Sequence, residues 1–296
     1  MERRRLNADE AEDPAVRAAY AFCEKLARGH YENFPVASVL LPRRIRPHVA
    51  AIYAFARTAD DFADEDGRQP GERLRLLEDF HRRLHAALRD APPPGDQIFI
   101  ALRDTMERCG LSAGLFDDLL SAFRQDVTVH RYETWDEVMD YCRRSANPVG
   151  RLVLRIAGVR DEAADRASDA VCSALQLANF WQDLGRDWRG GRLYVPAEEA
   201  RGHGAVEEDL DRPSMTPEWM ETLRVCVRRT RGLFDEGRPV ADAVHGRLRW
   251  ELRATWLGGV RILEKIDALG YDTLRHRPRL GAADVPRIAA GVLLWR

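Results

Sequence analysis

The chain has 296 residues, 46 basic and 48 acidic side chains and a net charge of -2. So close a balance excludes both the basic excess of a nucleic-acid binder and the one-signed charge of a solvating disordered chain. With 45% hydrophobic residues, the chain is long enough to bury a substantial core.

Apolar residues recur at three- and four-residue spacing over 14–29, 46–65, 72–90, 96–109, 114–127, 134–144, 148–158, 162–188, 218–236 and 249–268, which predicts a helix in each. Breaks fall at the proline run 91–95, at 109–112, at Gly190-Gly191 and over the polar stretch 198–216. The best candidate for extended structure, Arg192 to Pro196, is short and ends in proline. No break separates two self-sufficient halves, so the expected fold is all-α, one domain over 1–296. Five scattered cysteines, Cys23, Cys109, Cys142, Cys172 and Cys226, form no C-x-x-C pair, which argues against a disulfide framework or zinc ribbon and for a reducing cytoplasm. No apolar leader opens the chain, and no apolar run reaches the roughly 18 residues a membrane span needs. The apolar end, 288–296, is expected to pack on the domain, with shallow peripheral contact at the inner face of the membrane as the lesser reading.

Two segments carry chemistry. In the first, Tyr53, Arg57, Asp60, Asp61 and Asp64 follow one another at helical steps and share a face. Aspartates at i,i+4 repel by a few tenths of a kcal/mol, about 5–6 Å apart at Cβ, unless a cation lies between them. Roughly eight such acid pairs arise by chance at this acidic content, so a solvated helix end is the alternative reading of this segment alone. In the second, Gln176, Asn179, Asp183 and Asp187 form a polar stripe among Leu175, Leu177, Phe180, Trp181 and Leu184. Burying that stripe without partners would cost several kcal/mol, so it should face a polar cavity or ions. Two helices with i,i+4 aspartate pairs suit hard divalent cations, above all Mg²⁺, which prefers carboxylates, waters and phosphate oxygens. The implied ligand is a diphosphate, to which Arg57 and Arg192 add fixed positive charge. Tyr53, Phe55, Phe180, Trp181 and Tyr194 lie on or near these segments and could face a carbocation, with ordinary packing as their other role.

These residues resemble the two aspartate-rich motifs of the squalene/phytoene synthase family, over about 20–271. Tyr53, Arg57, Asp60 and Asp64 match the first motif; Gln176, Asn179, Asp183 and Asp187, followed by Arg192-Leu193-Tyr194, match the second. Tyr141 to Gly150 is similar to the family's Y-C-x-x-x-A-G-x-V-G helix, interrupted here by Asn147-Pro148. His30-Tyr31-Glu32-Asn33-Phe34 replaces both serines of H-S-x-S-F, and Gln182 stands where the family usually has arginine. The strings 31–38 and 145–150 are similar to the hydroxysqualene synthase branch.

The resemblance implies an isoprenoid-synthase helical bundle with a central cavity. It also implies a reaction in which presqualene diphosphate loses diphosphate and water captures the rearranged cation to give hydroxysqualene. More than one Mg²⁺ is expected, held by Asp60, Asp61, Asp64, Asp183 and Asp187. Gln176, Asn179, Arg192, Tyr194 and Asn33 are expected at the substrate, and Tyr141, Tyr53 and Arg57 near the reacting groups. NADPH is not expected, coupling to a presqualene diphosphate synthase is, and nucleic acid is not a partner. The alternatives are a condensing synthase working on prenyl diphosphates and a non-catalytic helical partner of such an enzyme. His81 and His85, at i,i+4 beside Arg82, Arg83 and Arg89, read as a solvated face, and Asp117-Asp118 as surface acids.

Overall fold

The structure, a computed structural model, describes residues 13–29, 41–64 and 67–295. Its α-helices are α1 (Pro14–Gly29), α2 (Arg46–Asp64), α3 (Pro70–Arg89), α4 (Gln97–Cys109), α5 (Ala113–Thr128), α6 (Trp135–Ser145), α7 (Asn147–Ile156), α8 (Glu162–Arg189), α9 (Ala197–Gly202), α10 (Pro217–Gly237), α11 (Gly246–Ala268) and α12 (Val285–Leu293). The helix starts follow local chemistry. Ser112, Thr134, Asp161 and Thr216 each accept a backbone N–H of the turn that follows, caps typically worth about 1 kcal/mol. Proline opens α3, α7, α10 and α12, where its missing N–H costs nothing.

Two expectations are refined. Residues 192–196 are extended but form no strand; their one ladder contact is a parallel bridge between Arg131 and Leu193. The polar stretch 198–216 carries α9 and a 3₁₀ turn at Glu207–Asp211.

The core has two parts. One gathers Phe55, Phe80, Phe99 and Phe116 from α2 to α5, with the Phe55 and Phe80 rings 5.0 Å apart. The other fills the space among α1, α6, α8, α10 and α11 with side chains such as Trp181, Trp219, Phe234 and Ile266. Helix α2 feeds both, Ala51 and Ala54 to the larger part, Ile52 and Phe55 to the smaller. A helix buried on two faces has one narrow stripe left for polar groups, and on α2 that stripe is Tyr53, Arg57, Asp60 and Asp64. Helices α2 and α8 share no extended contact, and α7 packs against both. At Gly150 of α7 a Cβ would lie 2.3 Å from Ser168 Oγ and 2.5 Å from Cys172 Sγ of α8, so a larger residue here would have to turn both side chains away.

The chain end packs through α12 on α11, with Trp295 5.2 Å from Trp256, while Val285, Leu293 and Leu294 stay exposed. No helix among the described residues is long and apolar enough to cross a membrane.

Candidate active site

On α2 the guanidinium of Arg57 spans two carboxylates, 3.0 Å from Asp60 and 2.6 Å from Asp61. Burial and the neighbouring Asp64 nonetheless push the Asp60 carboxyl up to about 6, outweighing Arg57. Burial also raises the Tyr53 hydroxyl, which sits among Arg57, Asp60 and Asp61.

On α8, Gln176 is half-buried and Asn179 exposed, so the polar stripe is kept out of packed core as its composition requires. Asp183 is gripped by a residue from far along the chain: Arg277 donates through Nε and Nη2, the latter at 3.0 Å. Two features of α8 hold Arg277 there. A Cβ on Gly185 would lie 2.1 Å from the Leu274 carbonyl oxygen, so glycine lets the 274–278 segment lie against the helix. Gln182, buried, donates from Nε2 to the Pro278 carbonyl at 2.6 Å. The residue that replaces the family's arginine therefore anchors the segment carrying another arginine. Asp187 is pushed up to about 7 by burial and by Asp183, with Arg192, Arg186 and Arg277 opposing.

Arg192 joins the two helices. Its backbone N–H donates to the Asp187 carbonyl at 2.8 Å, and its Nη2 lies 2.6 Å from Asp64 Oδ1. The extended backbone after it is pinned by Leu193 N–H donating to the His130 carbonyl at 2.9 Å. Beside Asp60, Asp64 and Arg192 lies Asp126, unnoticed in the sequence. Burial pushes its carboxyl up to about 7, with Asp64 and Asp60 adding to the shift, while a hydrogen bond from Tyr141 and the charge of Arg192 oppose it. Its Oδ1 is buried with no protein partner. Asp64, Asp126 and Asp187 all sit in the last turns of helices, α2, α5 and α8. Three negative dipole ends therefore add to the carboxylate charge in one place.

Beside Asp126 stands an aromatic wall. Phe180 and Tyr194 stack at 3.8 Å, Tyr132 lies 5.7 Å from Tyr194, and Tyr141 is 6.0 Å from both Phe180 and Tyr194. Tyr141 is buried, and that burial with Asp126 nearby holds its hydroxyl well above the usual range. Phe55 and Trp181, by contrast, are core: Phe55 packs on Phe80, and Trp181 donates to Thr230 Oγ1 at 2.8 Å. A cleft of about 630 Å³ opens next to this region, lined by Arg131, Trp188, Arg189, Leu274 and Arg275 among others.

The structure thus brings together Tyr53, Arg57, Asp60, Asp61 and Asp64 on α2, Asp183 and Asp187 on α8, and Arg192, Tyr194 and Tyr141, with Gln176 and Asn179 on the same helix N-terminal to Asp183. Asn33 and the 30–34 string lie outside the described residues, as do Glu65 and Asp66. Asp126, Tyr132 and Arg277 were missed. The one sequence signal for Asp126 was an acid in the last turn of a helix, where the dipole disfavours it. The Asn147-Pro148 interruption does split the helix, α6 ending at Ser145 and α7 starting at Asn147, whose Oδ1 accepts from Ser173 of α8 at 2.9 Å. The pooled donors are all oxygens, several held above their usual protonation range by burial and then by one another, and one has no partner. Such a set suits hard divalent cations.

Residues 27–284 match the squalene/phytoene synthase family. The chain is 38% identical over 226 residues to the hydroxysqualene synthase of Zymomonas mobilis subsp. mobilis, covering 74% of this chain and 73% of that one. It is 35% identical over 256 residues to the hydroxysqualene synthase of Sinorhizobium fredii, covering 86% and 85%. The crystal structure of squalene synthase HpnC from Alicyclobacillus acidocaldarius superposes with a TM-score of 0.80 at 40% identity, over 86% of this chain and 95% of that one. The paired aspartates, their order along the chain and the helical scaffold agree with this match, and the chain is an enzyme of the squalene/phytoene synthase family.

Proposed function

We propose that the chain ionises presqualene diphosphate and adds water to the rearranged cation, giving hydroxysqualene and diphosphate. The observation that carries this reading is the placement of two aspartate pairs, joined through Arg192, directly beside an aromatic wall. The bond from carbon to the diphosphate oxygen breaks with both electrons leaving on oxygen. The cyclopropylcarbinyl cation rearranges, water forms the new C–O bond, and one proton is released. No electrons are gained, so no NADPH is needed.

Mg²⁺, more than one ion, would be held by Asp60, Asp64, Asp183 and Asp187 with Asp61 assisting, and would supply charge neutralisation to the departing diphosphate. Arg57, Arg192 and Arg277 orient and neutralise the same group, and Tyr53, Gln176 and Asn179 hydrogen-bond it. Tyr194, Tyr141, Phe180 and Tyr132 present ring faces to the cation and exclude bulk water. Asp126 Oδ1, buried and free to accept, takes the proton of the attacking water. The substrate must come from a head-to-head condensing synthase, and exposed Leu293 and Leu294 of the chain end offer shallow contact with the inner face of a membrane. We place the enzyme in the cytoplasm.

The test is purified protein with presqualene diphosphate and Mg²⁺, without NADPH. Hydroxysqualene and diphosphate are expected, with loss of both on chelation of the metal. Diphosphate release that requires farnesyl diphosphate would instead assign the chain to the condensing enzymes. Unchanged turnover in Asp60→Asn and Asp183→Asn would remove the aspartates from the reaction.

A further inference from the structure

A second constellation lies on α3 and α5. His81 and His85, one turn apart on α3, turn their rings 68° to each other so that both Nε2 atoms converge, 3.1 Å apart. Asp117, from the first turns of α5, closes the triangle: its Oδ1 is 2.9 Å from His81 Nε2 and 2.8 Å from His85 Nε2. Hydrogen bonds cannot satisfy this triangle fully. If both rings donate to Asp117, two N–H groups face each other; if one ring donates to the other, Asp117 loses a donor. A cation at the centre uses all three lone pairs together. Tetrahedral zinc, with bonds of about 2.0–2.2 Å, separates its ligands by about 3.3–3.5 Å, a few tenths of an ångström wider than these atoms stand.

The scaffold is set without a metal. Leu77, Phe80 and Leu84 of α3 and Phe116 and Leu120 of α5 are fully buried against one another's cluster beneath the triangle. The ligand side chains are 25%, 38% and 37% exposed, which gives an ion access and leaves room for water as a fourth ligand.

We propose that His81, His85 and Asp117 bind one transition-metal ion of the zinc class, clamping α3 to α5. Two imidazoles and one carboxylate favour zinc, cobalt or nickel over Mg²⁺, the reverse of the all-oxygen set between α2 and α8. The two sites therefore differ in metal as well as in place.

The experiment titrates untagged, full-length protein with Co²⁺ in millimolar Mg²⁺, reading the visible bands of tetrahedral Co²⁺. One equivalent is expected, displaced by Zn²⁺ and retained in the Asp60→Asn/Asp183→Asn double variant. His85→Ala and Asp117→Asn should each weaken it by more than about 100-fold, the range already seen for loss of mere supporting contacts. Zn²⁺ should raise the thermal midpoint of the wild type and not that of His85→Ala, whose turnover is unchanged. Absence of the bands in the wild type, or their survival in His85→Ala and Asp117→Asn, would overturn the proposal.

Discussion

The two aspartate pairs look alike in sequence and are built differently in space. In the α2 pair Asp60 is served by Arg57, one turn away on the same helix, and Asp64 by Arg192, 128 residues on; the two carboxylates are 39% and 50% exposed. The α8 pair is served by Arg277, 94 residues on, and Asp183 is only 19% exposed. The charge on Asp60 is answered within one helix; those on Asp64 and Asp183 are answered only by the fold. Spacing alone finds both pairs, but only Asp60 carries its ion-pair partner within the same local pattern.

Removing the carboxylates should have the largest effect. Asp60→Asn and Asp183→Asn are each expected to lower kcat by about 1000-fold with helicity unchanged, as for loss of one fixed charge-stabilising group. A large loss in one variant alone would break the symmetry between the pairs. Next come their arginines. Arg277→Ala should cost about 100-fold in kcat/KM, and Arg57→Ala less, because Arg192 still reaches Asp64. Arg277→Lys should recover little, since a point charge does not reproduce the two-pronged grip on Asp183. Steady-state kinetics on the three variants checks the order, and the reverse order would show that the local arginine matters more.

Gly185→Ala tests the fold-built pair without touching a charge. A Cβ 2.1 Å from the Leu274 carbonyl must displace the segment that carries Arg277, at a cost of about 1–3 kcal/mol and with activity falling toward that of Arg277→Ala. Gly232→Ala, on α10 with nothing near its Cβ, should be neutral or stabilising by about 0.5–1 kcal/mol. Chemical denaturation with parallel activity assays separates the two.

The remaining effect is on stability and its dependence on pH. Asp60, Asp126 and Asp187 hold their protons to about 6, 7 and 7 in the folded chain, whereas unfolded aspartates release theirs near pH 4. The folded state binds more protons between these values. Metal-free protein should therefore lose stability as pH rises from about 4 to 7, read as a falling Tm across that window. Asp187→Asn should flatten that slope in thermal unfolding with chelator present, and an unchanged slope would show that the α8 pair is already neutralised by its arginines.

Nearly every helix was legible because a 3.6-residue apolar period is a local quantity, and the ends of α5, α6, α8 and α10 were marked by capping residues. Asp60, Asp64, Asp183 and Asp187 were legible for the same reason. Arg277 was not, since its place depends on Gly185 and Gln182 admitting a distant segment. Asp126 and Tyr132 acquire meaning only when α5 and the turn after it meet Arg192 and Tyr194. The His81–His85 pair was visible but lacked its third member, which α5 alone supplies.

The backbone pin at Leu193 has a further consequence. In an extended chain, alternate side chains share a side, so fixing buried Leu193 aims Arg192 and Tyr194 together toward the interior between the helices. Arg192 reaches Asp64, and Tyr194 lies flat on Phe180. Under the proposed function, anion handling and cation handling would then sit two residues apart on one rail, yet on separate side chains. On that reading, changes at position 194 should redirect the fate of the organic fragment while the grip on its leaving group stays as it was. Product diversity and a common first step can then evolve independently from the same stretch of backbone.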